Sequence, residues 1–186
     1  MGQDYAYILA AKLGAEHAEL GLTFLNRGIS GDRVPLLAAR WQADTLAIKP
    51  NVLSILVGIN DTLFGDLKGE TTEQYEQGFD QLLAQTLAAL PNLKIVLGQP
   101  FLLPVGKHRA TYAAEFAELK KRQAAVQRLA TKYHLPLVRY QDAFDAACQK
   151  APADYWTWDG VHPTYAGHWL MMQTWLETVS SFWPKG

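Results

Sequence analysis

The chain predicts a three-layer α/β/α fold around a parallel sheet. Short β-branched runs alternate with long amphipathic stretches along the chain. Strands separated by helical segments pair in parallel through right-handed crossovers, with helices on both faces. Polar, Gly-bearing loops follow the strands, where such sheets place ligands. At 186 residues the chain fits a single domain spanning 1–186, long enough to bury a substantial core. No repeat, low-complexity tract or linker divides it.

The elements are expected in this order. Residues 5–13 form a helix, with Tyr5, Ile8, Leu9 and Leu13 on one face. Residues 22–26 (LTFLN) read as a short buried strand closed by Arg27-Gly28, and 34–43 as a helix that must stop before Pro50. VLSILV at 52–57 is the clearest central strand. A long helix covers 71–90, with Thr71 or Thr72 as cap and Pro91-Asn92 beyond its end. KIVL at 94–97 is a strand, 113–133 a second long helix, 137–139 the last strand, and 141–150 and 164–180 helices.

Seventeen basic and eighteen acidic side chains give a net charge of −1 with no long run of either sign, which argues against a nucleic-acid binder. No apolar run is long enough to span a bilayer. The opening Met1-Gly2-Gln3-Asp4-Tyr5-Ala6 has neither a signal peptide's parts nor a myristoylation pattern. The lone Cys148 excludes an internal disulfide framework and a Cys-based zinc cluster. A cytoplasmic setting is expected, with a leader lost upstream left open.

Three loops fall at or beside one edge of the expected sheet: Gly28-Ile29-Ser30-Gly31-Asp32, Gly58-Ile59-Asn60-Asp61 and Asp159-Gly160-Val161-His162. Singly, each has a structural reading as a tight turn, a cap or a held histidine. Together they make a site. Asp159 and His162, three residues apart in a Gly-containing turn, meet without long-range folding. The carboxylate accepts a hydrogen bond from the Nδ1–H and leaves Nε2 as an outward base. Such a base needs a nucleophile, and none is obvious. Ser30 fails the G-x-S-x-G pattern because residue 32 is Asp32, Ser54 lies inside a strand, and Ser180-Ser181 lie near the C-terminus. Thr62 reads as a cap or a substrate-facing hydroxyl. Asp154, Asp159 and His162 have no fourth ligand at a suitable spacing, so no metal and no cofactor is expected. His168 reads as a helix-surface or packing residue, and His17, His108 and His134 as helix-end or loop residues without evident partners. Tyr155, Trp156 and Trp158 crowd the Asp-His turn, and an aromatic wall there suits a sugar ring.

These residues resemble a known family. Asn26-Arg27-Gly28-Ile29-Ser30-Gly31, Gly58-Ile59-Asn60-Asp61 and Asp159-Gly160-Val161-His162-Pro163 are similar to the second, third and fifth blocks of the SGNH, or GDSL-type, ester hydrolases. The run from Ala39-Arg40-Trp41 through Lys49-Pro50 to Asn60-Asp61 resembles the acetylxylan-esterase-like carbohydrate esterase branch. The resemblance implies a flavodoxin-like α/β/α fold and a Ser-His-Asp acyl-enzyme route. In it Gly31 N–H and the Asn60 amide stabilise the oxyanion, His162 is the base and Asp159 orients it. Asp61, Trp156 and Trp158 become substrate-pocket candidates. The family carries its nucleophile in a first Gly-Asp-Ser block, ending a strand between the counterparts of 22–26 and 52–57. That strand and serine are missing here, because Met1–Tyr7 resembles the segment just downstream of that block. The expectation is an N-terminally shortened short-chain acyl esterase on carbohydrate, inactive by itself. Its partners are a small-molecule ester, an acetylated sugar above all, and a second copy recruited by open sheet edges. The rivals are a lysophospholipase or lipid esterase, and a pseudoenzyme that binds esters or sugars without turnover.

Overall fold

The computed structural model describes residues 4–64 and 70–182, so the first three residues of the family-like opening lie outside it. Three parallel strands make the sheet, in the order β1 (Val52–Leu56), β2 (Lys94–Gly98), β3 (Leu137–Val138). Side chains alternate across it as strand geometry requires. Ile55, Ile95 and Leu97 enter one core, while Leu56 and Val96 enter the other.

The first core is closed by α2 (Val34–Trp41), α4 (Thr72–Ala89) and α5 (His108–Lys132), the second by α1 (Tyr5–Glu16), α6 (Tyr140–Ala147) and α8 (Tyr165–Thr178). Helix α4 shows why these stretches are helical. Tyr75, Phe79, Leu82, Leu83 and Thr86 recur every three or four residues and are buried. Thr71 caps the helix in a reciprocal box with Gln74. Asp4 caps α1 and Thr164 caps α8 one way only, each accepting from a first-turn amide.

Several expectations shift. Helix α5 begins at His108, five residues before the sequence suggested, because the buried His108 ring is held by Glu115 on the same helix. A wider π turn carries α2 on through Gln42–Leu46. Two short helices, α3 (Ile59–Phe64) and α7 (Ala153–Trp156), replace expected loops.

The largest correction is residues 22–26. They run extended but form no strand, because no backbone hydrogen bond joins them to β1 or to any other described residue. Leu22 and Phe24 still pack against the second core, while Leu25 is 57% exposed. Consequently β1 is paired on one side only among the described residues, and Ser54 at its centre is exposed although Val96 opposite it is buried.

Candidate active site

The Asp159–His162 turn is built from neighbours. His162 Nδ1 lies 2.8 Å from Asp159 Oδ2, and Asp159 Oδ1 accepts the backbone N–H of Val161 (3.1 Å) and of His162 (2.9 Å). The turn needs Gly160. Its φ is +103°, and a Cβ there would fall 2.5 Å from the carbonyl oxygen of Leu103. Leu103 N–H in turn donates to Gly160 O at 3.0 Å, and Trp158 N–H to His162 O at 2.8 Å. Burial pushes the Asp159 carboxyl upward, but the hydrogen bonds from the His162 ring and the two amides outweigh it and hold the group below the usual carboxylate range. An ionised Asp159 fixes the tautomer that leaves His162 Nε2 free to take a proton.

The other side is assembled from two distant loops. After the extended 22–26 segment, Gly28 N–H donates to Asn26 Oδ1 (2.9 Å) and Asp32 N–H to Ile29 O (3.2 Å). This places Gly31, with φ +85°, at the turn just before α2. Asn60 opens α3, and its Nδ2 donates to Asp32 O at 3.1 Å. That nitrogen carries two hydrogens, so one orients the amide and the second stays available. Gly58 lets β1 turn into α3 beneath Tyr75. A Cβ at Gly58 would lie 2.8 Å from Tyr75 Oη. Thr62 is a helix residue whose hydroxyl donates to Gly58 O (2.7 Å), so it is not turned to a substrate.

Between these halves lies a slot of about 200 Å³, lined by Gly28, Ile29, Asp32, Gly58, Asn60, Phe101 and Val161 among others. All three sequence-identified loops therefore border one depression. A second depression, of about 320 Å³, is lined by Asp4, Trp158, Pro163, Tyr165 and His168. Trp158 and Tyr165 are 64% and 74% exposed and meet edge to face at 6.1 Å. His168 is half-buried, accepts Tyr5 N–H at Nδ1 (3.2 Å), and its pKa is lowered by burial, which keeps it neutral with a proton on Nε2.

Two pocket candidates sit elsewhere. Trp156 is half-buried, packs against the second core and donates its indole N–H to Ala151 O (3.2 Å). Asp61 is wholly buried, with Oδ1 accepting Val34 N–H at 2.9 Å, and does not line the slot. Among the described residues no serine hydroxyl is hydrogen-bonded to His162: Ser30 is exposed in its turn, and Ser54 accepts the Trp175 indole N–H at 3.1 Å. No described group of three His, Cys, Asp or Glu could hold a metal ion. No described helix is long and apolar enough to cross a membrane.

Sequence reasoning missed the Arg40 network. Its guanidinium holds Asp32 (3.0 Å from Nε) and Asp44 (2.6 Å), stiffening the loop that carries Gly31. The Arg40/Asp44 spacing of four on a helix was a readable signal. His108, packed beside Gly160, escapes sequence reading because it precedes the helical pattern of residues 113–133.

A parallel sheet with an Asp-held histidine in one loop, and a glycine turn and an asparagine in two others around one depression, is an arrangement that acyl-transfer hydrolases use. The chain belongs to the GDSL-like lipase/acylhydrolase family, which it matches over residues 2–170, and its function is that of an esterase. An acetylxylan esterase of Geobacillus stearothermophilus is 29% identical over 191 residues, covering all of this chain and 84% of that protein. Crystal structures of that organism's acetylxylan esterase Axe2 superpose with a TM-score of 0.84 at 30% identity, covering 96% of this chain and 81% of theirs. A GDSL-like lipase from Parabacteroides merdae superposes with a TM-score of 0.86 at 37% identity over 95% of this chain and 81% of its own. The α/β hydrolase LAE5 from the Lake Arreo metagenome does so at 0.85 and 31%, over 98% and 84%. The acetylxylan-esterase-like branch is thus the one to which this chain is similar.

Proposed function

We propose that the protein removes short acyl groups, acetyl above all, from carbohydrate by an acyl-serine route. The observation that carries this reading is the Asp159–His162 pair, joined at 2.8 Å, in a turn whose Val161 borders the slot that Asn60 lines. His162 Nε2 takes the proton of a serine hydroxyl as its oxygen bonds to the ester carbonyl carbon. The carbonyl oxygen becomes an oxyanion, which Gly31 N–H and the second Asn60 amide hydrogen stabilise. The carbon–oxygen bond to the sugar then breaks, and His162 returns the proton to the leaving alkoxide. Water repeats the sequence, releasing the acid and the free serine. Catalytic mutants of Axe2 replace a serine and an aspartate with alanine, which supports a serine route in this chain's relatives.

The serine belongs on a strand lying along the unpaired side of β1, between it and residues 22–26. The exposed Ser54 and Leu25 support this place. Trp158 and Tyr165 support a sugar as the alcohol, since exposed aromatic rings and a neutral His168 donor suit a pyranose ring.

Reading the genomic DNA in frame upstream of the Met1 codon tests the strand. A segment ending in Gly-Asp-Ser about 15–35 residues before Met1 is expected, one strand plus a loop. The matching assay offers acetylated xylo-oligosaccharides, p-nitrophenyl esters and lysolipids to the encoded protein. Turnover of lysolipids alone would move the substrate to lipid. An in-frame stop directly upstream, with sugar binding and no hydrolysis, would favour a pseudoenzyme.

A further inference from the structure

We propose that Asp61 is a positioning residue for the oxyanion pocket, its buried carboxylate tying α3 to the first turn of α2 so that Gly31 and the Asn60 side chain keep one fixed relation, and that protonating the carboxylate slackens the tie. The inference rests on the oxyanion roles proposed above for Gly31 and Asn60.

The first turn of α2 lacks a cap of its own. Arg33 at its start makes no side-chain capping bond, and Pro35 has no N–H. Leu36 and Leu37 both donate to Arg33 O at 3.0 Å, which leaves the Val34 amide as the turn's remaining donor. Asp61 takes it from 27 residues away. The bond sits next to a second one, since Asn60 donates to Asp32 O. Two adjacent residues of α3 thus grip two positions of the Gly31–Val34 segment. Removing either grip lets the two donors of the pocket move relative to each other, and an oxyanion hole tolerates little of that.

The carboxylate occupies this place at a cost. Asp61 Oδ2 is buried and has no hydrogen-bond partner among the described residues. Burial raises the group to about 6, helped by the charge of Glu70, while the Val34 amide and Arg33 pull the other way. The charged or titratable groups around it are Arg33 and Glu70, themselves paired at 2.8 Å, with Tyr75 of α4 and Arg122 of α5 beyond. Because the native state holds this proton more tightly than the unfolded chain, its contribution to stability is fully present below the unfolded carboxyl value of 3.8 and is lost as pH rises to about 6. Above that, the ionised oxygen is the stronger acceptor for Val34 and complements the positive end of α2. The tie is tightest in the range where it stabilises the fold least.

The test uses the chain itself, labelled with ¹⁵N and followed by NMR from pH 4.5 to 8, beside His162→Ala and Asp61→Asn. Asparagine keeps a carbonyl acceptor for Val34 and cannot titrate. The Val34 and Gly31 backbone amides and the Asn60 side-chain amide are expected to shift together, with one midpoint near 6. They should do so in the unmodified chain and in His162→Ala, and stay flat in Asp61→Asn. Movement of Val34 alone would reduce Asp61 to a helix cap and overturn the proposal. So would loss of the Gly31 and Asn60 shifts in His162→Ala, which would trace them to the imidazole. Should Asp61→Asn not fold, the other two proteins decide the matter. Joint movement of the amides in a protein whose Asn60→Ala variant keeps full turnover would support the tie and remove the oxyanion assignment instead.

Discussion

The two halves of the site are held by opposite means. The base half is local. Every bond that shapes it within Asp159–His162 joins residues two or three apart, and one glycine makes the turn. The donor half is assembled across the fold, by bonds spanning 27 and 28 residues between the ends of two different elements. A local half keeps its geometry as long as its own few residues, and the Leu103 backbone that meets Gly160, survive. An assembled half depends on β1, α2 and α3 all sitting correctly. Chemical substitutions should therefore expose the base half, and loosening of the fold should strike the donor half first.

The sharpest way to break the comparison is His162→Ala, assayed in catalytically competent protein. Turnover should fall by roughly 10⁴-fold or more, because the serine hydroxyl then has no base at neutral pH. Asp159→Ala should fall between that loss and the next. Asn60→Ala should lower turnover by roughly 10²–10³ with the Michaelis constant less affected, since its amide acts on charge that develops only in the transition state. Full turnover in a well-folded Asn60→Ala protein would return Asn60 to a turn residue. Gly160→Ala tests locality. The added Cβ meets Leu103 O at 2.5 Å in a left-handed backbone, so calorimetry should show a loss of at least about 2 kcal/mol. An unchanged melting temperature would mean the turn adjusts freely.

The smaller effects concern edges and pH. With β1 paired on one side only among the described residues, the 186-residue chain should self-associate, which size-exclusion chromatography would reveal; a monodisperse monomer with a high melting temperature counts against it. Asp159 should leave a slight acid signature. Its folded value lies below the ordinary one, so its stabilisation is present above about 3.8 and is lost as pH falls through the folded value. The melting temperatures of the parent and Asp159→Ala should then converge below about pH 4; a constant difference would show that the carboxylate charge has no part in holding the turn.

The same contrast explains what was legible in the sequence. The Asp159–His162 pair could be read because its geometry is a matter of spacing, and α4 because its apolar residues follow helical periodicity between visible caps. Residues 22–26 misled because apolar, β-prone composition describes a segment that could pair, while a strand also needs a neighbour at hydrogen-bonding distance. Asp61 looked like a pocket residue because it adjoins Asn60. On a helical turn, adjacent residues point some 100° apart, and nothing in the linear order showed that α3 was a helix rather than a loop. The Arg40–Asp32 contact and the Leu103 ceiling over Gly160 depend on segments that meet only in the folded chain.

Trp175 adds an optical consequence to the open side of β1. Its indole is nearly buried in the second core, and its N–H reaches Ser54, the exposed residue at the middle of that strand. Anything that lies down along β1 changes the polarity and hydrogen bonding around this one ring. The protein thus carries its own emission gauge for that edge, to be read by exciting tryptophan in the parent beside Trp175→Phe, with no attached dye.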